Sequence, residues 1–212
     1  MVMEKNFRQV EEAVAQGANV IPLVREFVAD VLTPVAAYQR FVRNGERAFL
    51  LESVEGGERI GRYSFLGARP FATLTVQNST LHVTDAEGNS ETRKGCPFLA
   101  LGKELVKYKT LDEPGLPRLC CGAVGYIGYE MVRHLEPTVN FPETEGVEAR
   151  LMLFNRVIAF DRLHQRLLLI ASVVHKEKRG LRKAYKEAKD SLDEMEELLR
   201  HDLPHDKTLL LH

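Results

Sequence analysis

The chain has 212 residues, enough for one large domain or two small ones. Apolar residues make up 44% of it and charged residues 28%, as is ordinary for a globular protein. Its 29 basic and 30 acidic side chains give a net charge of −1, so we predict neither a nucleic-acid partner nor an anionic membrane partner. No apolar run approaches the ~18 residues of a membrane-spanning helix, and residues 1–16 mix acids with bases, so we expect no signal peptide.

The first half of the chain predicts three helices and several strands. Apolar residues recur at helical spacing over residues 7–14, and Gly17 is a suitable end. A second helix is predicted from the cap Thr33 to Asn44-Gly45. Residues 48–53 predict a buried strand. Residues 71–77 and 81–84 predict two strands joined at Asn78-Ser79, and a third helix is expected to begin at Pro97.

The second half begins with a glycine-rich stretch at residues 119–129, after which a short helix is predicted up to Leu135. Residues 151–160 and 166–174 predict two apolar strands, joined as a hairpin by a turn at residues 161–164. Strands and helices do not alternate regularly along the chain. This order predicts an α+β fold with a largely antiparallel sheet and flanking helices.

A long amphipathic helix is predicted from about Lys178 to Arg200, within the segment 176–203, and residues 204–212 predict a tail or linker. The basic residues of this helix lie near its N-terminus and the acidic residues near its C-terminus, which is the unfavourable order for the helix dipole. Packing of its apolar seam must therefore stabilise it. The seam packs either against its own domain or against a partner, and both interpretations stay open.

Known catalytic patterns are absent. The three glycines within residues 122–128 lack the G-x-G-x-x-G spacing, there is no P-loop, and Ser64 lacks the G-x-S-x-G context of a hydrolase nucleophile. Cys96, Cys120 and Cys121 form no metal-binding spacing, and we interpret them as reduced structural residues of a cytoplasmic protein, with a redox role as the alternative. We therefore name no catalytic residue and no metal ligand. The glycines imply close approach of another backbone or of a ligand.

The strongest candidate for a binding site is the polar end of the strand at residues 48–53. Glu52 and Ser53 offer a carboxylate and a hydroxyl to the charged head of an amino acid. Strand alternation places Leu51 and Ser53 on one face and Glu52 on the other. Arg62 can bind a ligand carboxylate with two N–H donors. The alternative is that Glu52 and Arg62 form ordinary surface ion pairs.

Three blocks resemble, in the same order, the N-terminal region of anthranilate synthase component I, a family of chorismate-utilising enzymes. They are Thr-Pro-Val-Ala-Ala-Tyr at residues 33–38, the segment 50–67 with Leu-Leu-Glu-Ser and Arg-Tyr-Ser-Phe-Leu-Gly, and Gly-Ala-Val-Gly-Tyr-Ile-Gly-Tyr-Glu at residues 122–130. The resemblance covers roughly residues 30–175. The glycine block is shared with the related aminodeoxychorismate synthases.

The resemblance implies that residues 1–175 form an effector-binding region in which Ser53, with Leu51 and Glu52, contacts L-tryptophan as feedback inhibitor. Arg62 corresponds loosely to a basic contact. The chorismate-binding half, with its catalytic and Mg2+-binding residues, is missing, so we expect no cofactor and no activity in this chain alone. With a glutamine amidotransferase, component II, the intact enzyme makes anthranilate and pyruvate from chorismate and glutamine-derived ammonia. We expect exposed apolar surface that favours association with the missing half or self-association.

Two alternatives accompany this hypothesis. One is the corresponding region of aminodeoxychorismate synthase component I. The other is a non-catalytic module for small-molecule binding or scaffolding, whose last helix binds a partner. Residues 50–53 together with residues 62–67 favour the anthranilate synthase interpretation.

Overall fold

The structure, a computed structural model, describes residues 4–29, 32–42, 45–52, 61–111, 113–136, 138, 146–175 and 180–200. These ranges contain ten strands: β1 Val20–Val28, β2 Ala48–Leu51, β3 Tyr63–Ala68, β4 Ala72–Gln77, β5 Thr80–Asp85, β6 Ser90–Arg93, β7 Gly122–Ile127, β8 Val147–Phe154, β9 Arg156–Asp161 and β10 Arg166–Val174. They also contain four α-helices and one 3-10 helix: α1 Phe7–Ala15, α2 Pro34–Phe41, α3 Pro97–Leu105, α4 Leu181–Arg200 and the 3-10 helix Tyr129–His134.

The strands form two sheets of five strands each within the described ranges. The first sheet has the order β1-β10-β9-β3-β2, and the second has the order β6-β5-β4-β8-β7. Neighbouring strands are antiparallel in both sheets. The predicted α+β class, with antiparallel sheets and flanking helices, is confirmed.

Three apolar layers join these elements. The helices α1, α2 and α4 cover one face of the first sheet, where Phe41 and Leu192 are fully buried. The other face of the first sheet meets the second sheet, and there the ring centroids of Phe49 and Phe154 lie 4.8 Å apart. The far face of the second sheet packs against α3 through Leu101. The molecule is therefore layered as helices, sheet, sheet and helix.

The caps and turns follow the local sequence. Thr33 Oγ1 accepts a hydrogen bond from the Ala36 N–H at 3.2 Å, and Pro34 is the first residue of α2, as predicted. The helix ends at Phe41, whereas the predicted end at Asn44 lies outside the described residues. The two-residue turn between β4 and β5 is formed by Asn78 and Ser79, whose φ angles are +49° and +59°. These left-handed values suit a hairpin whose strands twist together.

Two strand predictions need correction. The predicted single strand over residues 151–160 is wrong, because β8 ends at Phe154 in the second sheet and β9 begins in the first sheet after Asn155. Strands that are buried on both faces read as continuous apolar runs, so the pattern does not reveal such a break. The strand predicted as buried at residues 48–53 is an edge strand instead. In it only Phe49 is buried, and Leu51 is 47% exposed.

The glycine-rich block forms β7 and the entry to the 3-10 helix. A Cβ atom on Gly125 would lie 1.9 Å from the carbonyl oxygen of Arg150 on β8, and one on Gly128 would lie 2.8 Å from that of Glu148. The glycines therefore permit close approach of another backbone, one of the two explanations that their spacing left open.

The seam of α4 packs on its own domain, against β10, β1 and α2. Its acidic end, which the helix dipole disfavours, is stabilised by ion pairs with other elements. Glu194 pairs with Arg69 at 2.7 Å and with Arg156 at 2.9 Å, and Glu196 pairs with Arg25 at 3.0 Å. Neither α4 nor any other helix in the described ranges has the length and apolar character needed to cross a membrane.

Gly125→Ala is expected to lower the free energy of unfolding by about 1–3 kcal/mol, because its methyl group would overlap the β8 backbone. Gly102→Ala is the matched control, since a Cβ atom there meets nothing within 4 Å and alanine favours a helix such as α3. It should raise stability by up to about 1 kcal/mol. Urea unfolding followed by circular dichroism measures both variants. Similar effects from the two substitutions would contradict the assigned role of Gly125.

Candidate functional site

The candidate site lies where β2 ends, beside β3 and the turn between β9 and β10. Leu51 pairs with Phe65, so the next position in the register places Glu52 opposite Ser64. Ser53, which the resemblance places in contact with tryptophan, lies outside the described residues. The structure thus brings the polar end of the edge strand β2 close to side chains of β3 and of the turn between β9 and β10.

Alternation along β2 separates the two described candidates. Phe49 packs between the sheets, whereas Leu50 packs with the helix-covered face of the first sheet. The same period places Leu51 on the side of Phe49 and Glu52 on the side of Leu50. A ligand that contacts both residues must therefore reach around the end of the edge strand.

Glu52 lies next to a basic residue that the sequence analysis missed. Arg162 Nη2 is 3.5 Å from Glu52 Oε1, and it donates a hydrogen bond to Ser64 Oγ at 3.1 Å. Ser64 is fully buried. The only signal for Arg162 in the sequence is its place in the predicted turn at residues 161–164, because its proximity to Glu52 depends on the order of strands in the sheet.

Arg62 forms a bidentate contact, but its partner is the carboxylate of Asp161 and not a ligand. Its Nε and Nη2 atoms donate to the two carboxylate oxygens of Asp161 at 2.9 and 2.8 Å. Its guanidinium carbon lies 4.7 Å from the centroid of the Tyr63 ring. This geometry matches the surface-pair alternative for Arg62, although the carboxylate partner is buried. A contact between Arg62 and a ligand remains a prediction.

Asp161 is the centre of a charged cluster. Its side chain is fully buried and also accepts a hydrogen bond from Arg166 Nε at 3.1 Å, while His164 Nδ1 lies 2.9 Å from Oδ2. Burial alone raises the pKa of the Asp161 carboxyl, but hydrogen bonds from Arg62, His164 and Arg166 outweigh burial and hold this pKa well below its usual range. The hydrogen bonds between Arg62 and Asp161 in turn raise the pKa of Arg62. Asp161 is thus a fixed buried anion beside the candidate site.

A second feature is an exposed apolar strip along β7 and the 3-10 helix, here called the β7 strip. It consists of Tyr126, Ile127, Tyr129 and Leu135, each of which is more than half exposed. Among the described strands β7 pairs with β8 alone, so its other edge presents backbone hydrogen-bonding groups. A buried carboxylate, Glu148, fixes the end of the 3-10 helix through an ion pair with Arg133 at 2.9 Å and a contact of 2.6 Å with His134 Nε2.

The cysteines and carboxylates do not form a reactive centre in the described part of the chain. No three His, Cys, Asp or Glu side chains in the described ranges are grouped as a metal ion requires. The thiols of Cys96, Cys120 and Cys121 are free. Burial raises the pKa of Cys120 and of Cys121 to about 12, so both stay protonated and unreactive near neutral pH.

A cleft of about 820 Å³ lies away from the candidate site, between α4 and the two points where the chain crosses between sheets. Its basic residues Arg69 and Arg156 both form ion pairs with Glu194. The cleft is otherwise lined mainly by acidic and small side chains. Because both arginines already have Glu194 as a counter-charge, we assign no ligand to this cleft.

No protein-family model matches the chain. Anthranilate synthase component 1 of Acetivibrio thermocellus is 35% identical over 161 residues, which are 75% of this chain and 32% of that protein. The same component of Acinetobacter calcoaceticus is 34% identical over 220 residues, covering 95% of this chain and 43% of that protein. That of Synechocystis sp. is 34% identical over 200 residues, covering 92% and 39%. The chain thus spans less than half the length of these relatives.

A solved structure shares the fold. The crystal structure of anthranilate synthase component I from Streptococcus pneumoniae matches 84% of this chain and 37% of its own chain. The TM-score is 0.53 and the sequence identity is 23%. The arrangement of two antiparallel sheets with flanking helices therefore recurs in the Streptococcus pneumoniae protein.

Asp161→Asn is expected to lower the free energy of unfolding by about 3–5 kcal/mol at neutral pH, because Arg62 and Arg166 lose their buried counter-charge. The folded-state pKa of Asp161 lies below the unfolded value of about 3.9, so its contribution is complete above that value and is lost as pH falls toward the folded pKa. The difference between wild type and variant should therefore shrink below about pH 4.

Urea unfolding at several pH values between neutral and about 3 measures this difference. Glu12→Gln is the control, because Glu12 forms an exposed pair with Arg8 within α1. It should change stability little at any pH. A difference between wild type and Asp161→Asn that stays constant down to the lowest pH would contradict the assigned ionisation of Asp161.

Proposed function

Because this chain belongs to the anthranilate synthase component I family, we propose that it is the N-terminal, effector-binding region of such an enzyme, with L-tryptophan as effector. The observation that carries the proposal is the polar end of β2. There Leu51 and Glu52 directly precede Ser53, and Arg162 lies 3.5 Å from the Glu52 carboxylate. The residue types in this segment, an apolar side chain, a carboxylate and a hydroxyl, with a guanidinium near the carboxylate, suit an amino acid with a large aromatic side chain.

The role of the region is regulatory. Effector binding shifts an enzyme between two domain arrangements only to the extent that the effector binds one arrangement more tightly than the other. The edge position of β2 suits this role, because a ligand at its end can contact a neighbouring domain as well. This chain supplies one side of such a switch, and the chorismate-binding half supplies the other.

In the intact enzyme the proposed reaction is that of tryptophan biosynthesis. Chorismate and ammonia, which component II releases from glutamine, give anthranilate and pyruvate. The residues that act on chorismate and those that bind Mg2+ belong to the remainder of the enzyme. We expect the 212-residue chain alone to be inactive, and its free thiols fit a cytoplasmic location.

The β7 strip is the proposed contact with the chorismate-binding half. The relatives are more than twice as long as this chain, so much of their polypeptide is available to cover it. An exposed strand edge with apolar side chains favours pairing with another strand. When that half is absent, a second copy of the chain takes its place and the chain self-associates.

Calorimetric titration of the chain with L-tryptophan is expected to give saturable heat, whereas L-phenylalanine gives little. Ser53→Ala should weaken binding by about 3- to 10-fold, the loss expected for one hydrogen bond to a neutral hydroxyl. Ser90→Ala on the exposed strand β6 is the control and should leave the affinity unchanged. Absence of heat from L-tryptophan with the folded chain would contradict the effector hypothesis.

Sedimentation of the wild-type chain is expected to show a dimer that dissociates on dilution. Ile127→Lys should give a monomer, because it places a charge on the exposed apolar edge of β7. Val106→Lys alters a similarly exposed apolar residue at the end of α3 and should leave the dimer intact. A wild-type chain that stays monomeric at every concentration is the result that would count against the β7 strip.

A further inference from the structure

We propose that the chain has a second binding site, which takes a small neutral aromatic molecule. The site is a partly enclosed pocket of about 170 Å³ between the second sheet, α3 and the segment that follows α3. We call it the Tyr108 pocket. Its walls include Phe71, Leu105, Tyr108, Cys121, Ala123 and Leu153. The proposal does not depend on the proposed effector function.

The Tyr108 pocket and the candidate site lie at opposite ends of the first sheet. Val20, which lines the pocket, pairs with Val174 at one end of β10. At the other end of β10, Arg166 contacts Asp161 beside the candidate site. From Arg166 to Val174 the strand extends about 26 Å at the usual rise per residue. A ligand in this pocket is therefore separate from one at the end of β2.

Hydrogen bonds hold the wall that carries Tyr108. Asn19, which precedes β1, donates from Nδ2 to the Lys107 carbonyl oxygen at 2.6 Å, and its Oδ1 accepts from the Lys109 N–H at 2.7 Å. The N–H groups of Asn19 and Val20 also donate to the Lys109 carbonyl oxygen, at 2.9 and 3.0 Å. The residues on both sides of Tyr108 are thus fixed to the start of β1. The wall is therefore pre-organised, which lowers the free-energy cost of binding.

The interior of the pocket suits an aromatic ring. Phe71 and Tyr108 lie edge to face, with ring centroids 5.5 Å apart and an interplanar angle of 67°. Leu105 and Leu153 add aliphatic surface from α3 and β8. An aromatic ligand can continue the edge-to-face packing that such rings prefer. Since an apolar cavity of about 150 Å³ binds benzene, the Tyr108 pocket has room for one small ring system.

The chemistry of the walls favours a neutral ligand. None of the described residues that line the pocket has a charged side chain. Burial raises the pKa of Tyr108, and it raises the pKa of Cys121 to about 12, so both groups stay neutral near pH 7. A charged ligand would lose its hydration there without gaining a counter-charge. Two lining residues, Tyr108 and Thr110, carry hydroxyl groups that suit one N–H or O–H group on the ligand.

Indole is a suitable probe, because it is neutral and aromatic and carries one N–H group. The chain contains no tryptophan, so indole fluorescence has no background from that side chain. Wild type is expected to bind indole saturably, with a dissociation constant of about 0.1–1 mM. Indole-3-acetate, which adds a carboxylate, should bind at least about 10-fold more weakly. Equal affinity for the two compounds would overturn the assignment of a neutral ligand.

Substitutions that fill the pocket test its position. Ala123→Leu fills it from β7 and should weaken indole binding by at least about 10-fold. Leu105→Phe fills it from α3 and should have the same effect. Ala86→Leu adds a leucine to the exposed turn between β5 and β6, so this control should leave the affinity unchanged. Circular dichroism shows whether each variant is folded.

A measurement on the wild-type chain locates the ligand without any substitution. Nuclear Overhauser contacts are expected between indole and the methyl groups of Leu105 or Leu153. Contacts confined to other parts of the chain would overturn the proposal, as would equal indole binding by wild type and folded Ala123→Leu. Absence of saturable indole binding by wild type would overturn it as well. None of these results involves L-tryptophan, so the effector hypothesis stands or fails separately.

Discussion

One end of the first sheet, the end that carries the candidate site, depends on the ion pairs of the buried Asp161 carboxylate. This carboxylate lies at the end of β9 and compensates Arg62 from the start of β3 and Arg166 from the start of β10. Arg166 in turn reaches Glu26 on β1 at 3.3 Å. Four neighbouring strands are thus tied together at one end by charge as well as by backbone hydrogen bonds. An unpaired carboxylate in that position would be costly, so the arrangement has little freedom to change.

Charge compensation of the same kind resolves a conflict in α4. The acidic residues near its C-terminus oppose the helix dipole, and local sequence alone disfavours them. The first sheet supplies Arg25 and Arg156 as partners from outside the helix, and Arg69 lies at the end of β3. The unfavourable order of charges along this helix is therefore explained by tertiary ion pairs. The apolar seam and these pairs both direct α4 onto the same sheet.

Local patterns sufficed to predict much of the fold. The cap at Thr33, the turn at Asn78-Ser79 and the helical spacing of α4 each concern residues close in sequence, and the structure contains all three. The break at Asn155 was not predictable, because strand burial on both faces hides a change of sheet. The exposure of β2 depends on strand order. The position of Arg162 beside Glu52 depends on it too, and no local spacing encodes that order.

Asn155 has a mechanical consequence. It is the only residue between β8, which borders β7, and β9, which ends at Asp161. Its carbonyl oxygen is held by the Ser172 amide at 2.8 Å, so this corner has little room to pivot. The strands β8 and β9 are therefore joined directly at this corner, although they belong to different sheets. The edge of the second sheet at β7 and the buried anion at the end of the first sheet are thus connected through two consecutive strands and a single hydrogen-bonded corner residue.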